Sequence, residues 1–300
     1  MPVVINLVFW GDKWINHDDT TTQLYNIPAN ETVLLHTQHE GISLRSSGVL
    51  EVIDKWVIGT NRNPNSVQIH TPNQIEKIPY KFSNVLNKYP HFFNPKQLKY
   101  NQSYTSIDPS AQLFGFFIGR YNSIRNAIAR DIIDSYRQYF LMSVMNADRL
   151  ETKYWWDPDI EAIGSIDNTS INDQYNSIKS TNQSLLQFYS KFQIELAIET
   201  VTQGESFFPT EKTIRPIMGS KPFLVYATVG FLQNFRNLGF RTFSELWSEE
   251  YDQHDGLTRW HKIKEVIDQI IEQGYDCNLA NNIVKYNHEH LQTIKHSDWT

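Results

Sequence analysis

The stretch "FFPTEKTIRPI", residues 207–217, places a hydroxyl, a carboxylate and an ammonium group side by side at Thr210, Glu211 and Lys212. Threonine is a good helix cap, so we expect a helix to begin at Glu211 with its unpaired N–H groups facing a loop. Such a helix start attracts anions, and Lys212 adds a positive charge to it. The two carboxylate oxygens of Glu211 suit the paired hydroxyls of a ribose. The triplet therefore predicts a nucleoside diphosphate site, although a well-capped first turn without a ligand also explains it.

Arg125 is a second candidate for phosphate binding. It lies in the first turn of a predicted helix that follows the apolar run "QLFGFFIG" at 112–119. A guanidinium in that position is able to reach the crevice at the end of the strand and to bind phosphate with two hydrogen bonds. The alternative is an exposed arginine on an amphipathic helix, and the spacing alone leaves both open.

Two strand–loop–helix units position these residues in the sequence. The first joins the strand at 112–119 to a helix whose apolar face repeats at i, i+4, with Asn122 or Ser123 as the cap. That face comprises Ile124, Ile128, Ile132, Tyr136 and Phe140. The second unit joins a strand at 192–200 to a short helix from Thr210, which Pro216 shortens or kinks. A further strand, "KPFLVYA", follows.

Other segments complete the predicted organisation. Further short apolar runs at 3–11, 31–37 and 54–60 predict strands of an N-terminal unit. The polar tract at 167–184 predicts a loop, and the segment at 101–110 predicts a domain boundary. Near the C-terminus, two amphipathic helices are expected at 257–273 and 279–295. The first of them carries Leu257, Trp260, Ile263, Val266 and Ile270 on its apolar side.

Strands that alternate with helices predict parallel sheets, with ligands bound at the carboxyl ends of the strands. The fold expected for the C-terminal half is therefore of the Rossmann type. The predicted units are an acceptor-side α/β domain at 1–107, a nucleotide-binding domain at 108–255 and C-terminal helices at 256–300.

Composition narrows the function classes. The chain has 27 Lys and Arg against 33 Asp and Glu, a net charge of −6 and no basic run, which argues against general affinity for nucleic acid or an anionic membrane. Cys277 is the single cysteine, so neither an intrachain disulfide nor a cysteine zinc site is expected, and a reducing, cytoplasmic location is predicted. The N-terminal run lacks the features of a signal peptide, and no apolar run is long enough to span a membrane. Nucleoside triphosphatase and serine hydrolase motifs are not found.

Two segments, 120–133 and 185–217, resemble the two signature regions of the α1,3-fucosyltransferases. In that family an Arg-Asn pair opens a helix, and a Tyr-Lys-Phe strand leads to a Phe-Glu-Asn and then to a Thr-Glu-Lys. A weaker similarity covers 33–43 and 50–61, where Glu40 matches the proposed base of the family. The resemblance implies the GT-B arrangement, with two Rossmann-like domains facing across a cleft, and an inverting transfer of fucose from GDP-fucose.

The resemblance also implies residue roles. Donor binding is implied for Arg125, Asn126, Thr210, Glu211 and Lys212. Glu40 is the expected general base, and Glu199 is expected to stabilise the oxocarbenium-like state of the sugar. The expected partners are a GDP-sugar donor and a glycan acceptor. No metal or further cofactor is required.

Two alternatives remain open. Asp157 and Asp159 form an Asp-x-Asp pair of the kind that holds Mn²⁺ in GT-A glycosyltransferases. A non-catalytic carbohydrate-binding or structural protein is also consistent, because Thr200 stands where the resembled family has asparagine. His288 and His290 lie too close in sequence to share a helix face and are expected in a solvated stretch.

Overall fold

The computed structural model describes residues 2–10, 13–37, 41–71, 80–84, 103–118, 123–144 and 188–293. Within these residues the chain is a mixed α/β protein with two four-stranded parallel sheets and helices between the strands. The predicted fold class is confirmed at this level. None of the described helices is long and apolar enough to cross a membrane.

The first sheet has the strand order β1-β4-β5-β6 and is parallel throughout. A two-stranded antiparallel hairpin, β2 with β3, and two helices accompany it. The strands are β1 Val3–Asn6, β2 Phe9–Trp10, β3 Lys13–Trp14, β4 Val33–His36, β5 Val67–Thr71 and β6 Lys81–Asn84. The helices are α1 His17–Tyr25 and α2 Val49–Gly59.

The second sheet has the order β10-β9-β7-β8 and is also parallel. Its strands are β7 Gln112–Ile118, β8 Phe140–Val144, β9 Phe192–Ile198 and β10 Phe223–Tyr226. Its helices are α3 Ser123–Tyr136, α4 Glu211–Met218, α5 Phe231–Asn237, α6 Gly256–Gln273 and α7 Cys277–Thr293.

Each sheet has its own apolar core. Around the first sheet, Leu35 and Val67 pack with Trp56 of α2. Around the second, β9 is buried along its whole length, as expected for a central strand of a parallel sheet. Trp260 and Ile263 of α6 belong to the same buried cluster as Phe192, so the C-terminal helices complete the core of the second sheet.

Several predicted elements are confirmed, and one is wrong. The strands expected at 31–37, 112–119 and 192–200 are present as β4, β7 and β9. The strand expected at 54–60 is part of α2. Its apolar residues continue an earlier set at helical spacing, and the buried side chains are Val49, Leu50, Ile53, Trp56 and Val57. A seven-residue window that begins at Asp54 misses the first three of them.

Smaller differences concern the helices. The helix after β7 ends at Tyr136, and Phe140 begins β8, which the sequence did not predict. Leu257 was expected on the buried side of α6 but is 74% exposed. His288 is buried rather than solvated, and its Nδ1 lies 3.2 Å from the carbonyl oxygen of Ile217.

The two sheets meet where the segment after β4 contacts the segment after β9. The Ser206 hydroxyl donates a 2.7 Å hydrogen bond to the carbonyl oxygen of Gly41. Gly41 has φ +63°, and a Cβ there would lie 2.7 Å from the Cβ of Phe208. Only glycine tolerates both the positive φ and the lack of room for a Cβ atom, so this close approach depends on its missing side chain.

Candidate functional site

The second sheet has a topological switch point between β7 and β9. The chain leaves β7 through α3 and adds β8 on one side, then adds β9 and β10 on the other. The connections on either side of such a point leave in opposite directions, which opens a crevice at the carboxyl ends of the two strands. The carboxyl ends here are Ile118 and Ile198. The predicted donor-binding residues on α3 and α4 follow these ends.

Glu199, the residue after β9, joins the strand to the start of α4. Its carboxylate is fully buried and accepts a 2.9 Å hydrogen bond from the Thr210 N–H. The hydroxyls of Thr210 and Thr213 also donate to it, and the Thr200 N–H does so at 3.2 Å. Thr210 caps α4 as predicted, with its hydroxyl accepting from the Lys212 N–H. The Glu199 carboxylate therefore already lies beside the positive end of the α4 dipole.

Lys212 and Glu211 form the more accessible part of the site. The Lys212 ammonium donates to Glu211 Oε1 at 2.6 Å and to the Thr200 hydroxyl at 3.1 Å. Burial raises the pKa of Glu211, but attraction to Lys212 and its hydrogen bond outweigh burial and hold that pKa below its usual value. Glu211 is thus held as a carboxylate beside Lys212 in the first turn of a helix.

Arg125 and Asn126 lie under this surface, in the first turn of α3. The Arg125 guanidinium is 5% exposed and donates to the carbonyl oxygens of Ile198 and Glu199 at 3.3 and 3.1 Å. These bonds fix the carboxyl end of β9. The Asn126 side chain is 1% exposed, and within the described parts of the chain neither of its amide atoms has a hydrogen-bond partner. A buried carboxamide without partners is uncommon and is a reason to expect a ligand or ordered water.

A second buried network on β9 was missed by the sequence reasoning. Glu195 is fully buried and forms an ion pair with Arg215 of α4, and the Tyr189 hydroxyl donates to the same carboxylate. The Arg215 Nε donates to the Tyr189 hydroxyl at 2.7 Å. Burial raises the pKa of Glu195, although Arg215 and Tyr189 act in the opposite direction. A glutamate inside the apolar run "FQIELAI" was the available signal, because a buried carboxylate requires a partner.

Other predicted residues lie outside the described ranges. These residues are Glu40, Asp157 and Asp159, so their predicted roles stay predictions. In the parts of the chain that the structure describes, no group of three or more His, Cys, Asp or Glu side chains is placed to hold a metal ion.

Comparison with protein families, with curated proteins and with solved structures gives no match. The chemical character of the site therefore has to be read from its geometry. It combines a lysine–glutamate pair at the start of a helix, a buried arginine and an unpaired buried carboxamide at the switch point of a parallel sheet. That combination can neutralise an anion and hydrogen-bond a polar ligand.

Proposed function

We propose that this chain is an inverting glycosyltransferase that transfers a sugar from a nucleoside diphosphate, in the first instance fucose from GDP-fucose, to a glycan hydroxyl. One observation carries the proposal. The residues that the family resemblance assigns to donor binding come from two separate segments, yet Arg125 and the start of α4 meet in one crevice at the carboxyl ends of the strands. Glu199 joins them, because its carbonyl accepts from Arg125 and its carboxylate accepts from the Thr210 N–H. The two parallel sheets are the minimum that a GT-B arrangement requires, and we propose that arrangement as well.

The donor diphosphate would bind next to Lys212. The Lys212 ammonium has the Glu211 carboxylate as its counter-ion. A diphosphate that takes this place leaves the Glu211 oxygens available to the ribose hydroxyls. The arriving negative charge is stabilised by the ammonium and by the α4 dipole, so the leaving group needs no metal ion.

Arg125 and Glu199 would then act mainly by positioning. Arg125 donates to the carbonyl oxygens of Ile198 and Glu199, and the Glu199 carboxylate accepts from the cap of α4, so together they set the distance between the two walls of the crevice. Asn126 supplies a buried carboxamide with unused hydrogen-bonding capacity for a polar group of the donor.

The acceptor hydroxyl must lose a proton as its oxygen bonds to the anomeric carbon and the bond from that carbon to the diphosphate breaks. We assign this proton to Glu40. Gly41, the next residue in the sequence, bonds through its carbonyl to Ser206 in the loop between Glu199 and Thr210. That contact links the segment of the proposed base to the donor site.

Thermal denaturation with a nucleotide panel tests the proposal. GDP at a hundred times its dissociation constant should stabilise the chain by about 2.7 kcal/mol, with no change on adding EDTA.

Lys212→Ala should weaken GDP binding about ten- to a hundredfold, the worth of one charged hydrogen bond. Lys55→Ala is the matched control, since Lys55 has the same 2.6 Å pairing with Glu51 but lies on α2.

Glu40→Gln should lower transfer about a hundredfold and leave GDP affinity unchanged.

Two results would contradict the proposal. Stabilisation by UDP with Mn²⁺ alone would favour the GT-A alternative and Asp157 with Asp159. No response to any nucleotide would favour a non-catalytic protein. One observation favours that second candidate: the buried Glu199 carboxylate already accepts the Thr210 N–H at the start of α4, where an external anion would otherwise bind.

A further inference from the structure

His36 and His70 end two neighbouring strands of the first sheet. They are partners in the parallel register of β4 and β5, so their side chains extend from the same face. That face is the less buried one, because Val33, Leu35, Val67 and Ile69 point into the core from the other face. The Nδ1 atoms of the two imidazoles lie 3.1 Å apart, and the ring centroids are 4.9 Å apart.

A short distance between two imidazole nitrogens has two chemical explanations. One ring donates an Nδ1–H hydrogen bond to the other, or both Nδ1 lone pairs point to one metal ion. Protein metal–imidazole bonds are about 2.0–2.1 Å long. Nitrogens 3.1 Å apart then subtend an angle of about 98° at the ion. This angle lies between the right angle of a square or octahedral site and the wider angle of a tetrahedral one, so the spacing of the two nitrogens suits either geometry.

We propose that His36 and His70 bind a divalent transition-metal ion of the class that prefers imidazole, such as Zn²⁺, Ni²⁺ or Cu²⁺, through their two Nδ1 atoms. The backbone hydrogen bonds from the Leu7 N–H to His36 and from the Thr37 N–H to His70 hold both residues in the sheet, so the ligand pair is preorganised. Asn6 is the register partner of His36 on β1 and is exposed, which places an amide on the same row of the sheet.

With two histidine ligands the ion keeps open coordination positions for water or for oxygen donors. Affinity is therefore expected to be below that of a closed structural zinc site with four protein ligands. The site lies on the first sheet and involves no residue of the proposed donor site. The proposal is independent of the glycosyltransferase assignment.

Calorimetric titration of the full chain with ZnCl₂ and with NiCl₂, in chelator-free buffer, tests the site. We expect saturable binding that His36→Gln and His70→Gln each weaken at least about tenfold, because each removes one ligand. His261→Gln is the control, since His261 is an exposed histidine on α6, and it should bind like the unmodified chain. Thermal denaturation in the presence of EDTA verifies that the variants fold.

Histidine ¹⁵N spectra provide a readout that weak surface binding does not reproduce. Zn²⁺ should shift the Nδ1 resonances of both His36 and His70. Binding that is equal in the unmodified chain and in the His36→Gln and His70→Gln variants would overturn the proposal, as would the absence of binding. In either case the 3.1 Å contact is a hydrogen bond between two imidazoles.

Discussion

Glu195 within β9 and Glu199 just after it are both fully buried carboxylates, but their partners differ in charge. Glu195 has a cation, Arg215, together with the Tyr189 hydroxyl. In the described part of the chain, the groups that donate to Glu199 are neutral: the N–H groups of Thr200 and Thr210 and two threonine hydroxyls. Both carboxylates attach α4 to β9, one at each end of the helix.

The position along α4 explains the difference. Glu199 lies at the helix start, where N–H groups and the positive end of the dipole stabilise a negative charge without a counter-ion. Glu195 binds the side chain of Arg215 in the last turn, where the helix offers no unpaired N–H groups. A carboxylate there needs a cation, and Arg215 in the last turn supplies it. The two ends of α4 therefore stabilise the two buried carboxylates differently, one with N–H groups and one with an arginine.

The largest expected effect comes from removing the cation. Arg215→Met leaves Glu195 buried without a counter-ion and should lower the free energy of unfolding by about 3–5 kcal/mol at neutral pH, measured by urea denaturation. The difference in the free energy of unfolding between Arg215→Met and the unmodified chain should become smaller as the pH falls. Burial already raises the pKa of Glu195, Arg215 opposes that rise, and without Arg215 the carboxyl is protonated in the folded state at a higher pH.

Arg241→Met is the matched control for this prediction. Arg241 pairs with Glu245 at 2.6 Å, but the pair is exposed and should contribute less than about 1 kcal/mol. Equal losses in the two variants would show that burial does not set the value of the Glu195 pair.

A smaller loss is expected at the other end of α4. Thr213→Val keeps the shape of the side chain and removes one hydroxyl that donates to Glu199. The free energy of unfolding should fall by about 1.5–3 kcal/mol, the range for hydrogen bonds to charged groups. Thr22→Val in α1 removes an exposed hydroxyl bonded to the Asp18 carbonyl and should have little effect. A Thr213→Val loss as large as that of Arg215→Met would break the distinction between the two carboxylates.

Lys221 extends the comparison to a buried cation, with a still smaller effect. It is 2% exposed, and burial lowers its pKa from 10.5 to about 8 despite attraction to Asp108. Above that pH the folded chain holds fewer protons than the unfolded chain, so stability rises with pH. Between pH 8 and 9 the unmodified chain should gain about 1 kcal/mol relative to Lys221→Met. Parallel pH profiles of the two proteins would mean that Lys221 keeps an ordinary pKa.

Local sequence patterns were sufficient to predict several elements of the second sheet. The apolar runs that became β7 and β9 are bounded by polar residues and have strand length, and Thr210 carries its own capping chemistry. Such features depend on neighbours within a few residues, so the sequence displays them directly.

Local patterns did not predict contacts between residues far apart in the sequence, and they gave a wrong prediction where the stretch considered was too short. The run at 54–60 has strand-like composition, and its helical spacing becomes visible only when Val49, Leu50 and Ile53 are included. The pairing of Glu195 with Arg215 joins positions twenty residues apart, and no short pattern indicates it. His36 and His70 were not singled out either, because strand register alone makes them neighbours.

By itself the sequence determined the alternation of strands and helices, the cap at Thr210 and the set of charged residues available near α4. These follow from local propensity and from the exclusion of apolar side chains from water. The tertiary structure decided which charges are neutralised inside the protein. The strand order places β9 beside β7, which brings Arg125 to the end of β9, and the packing of α4 against β9 turns Glu199 into a helix anchor and Glu195 into one half of an ion pair. Burial gives these contacts their strength, and burial is a property of the folded arrangement of distant segments.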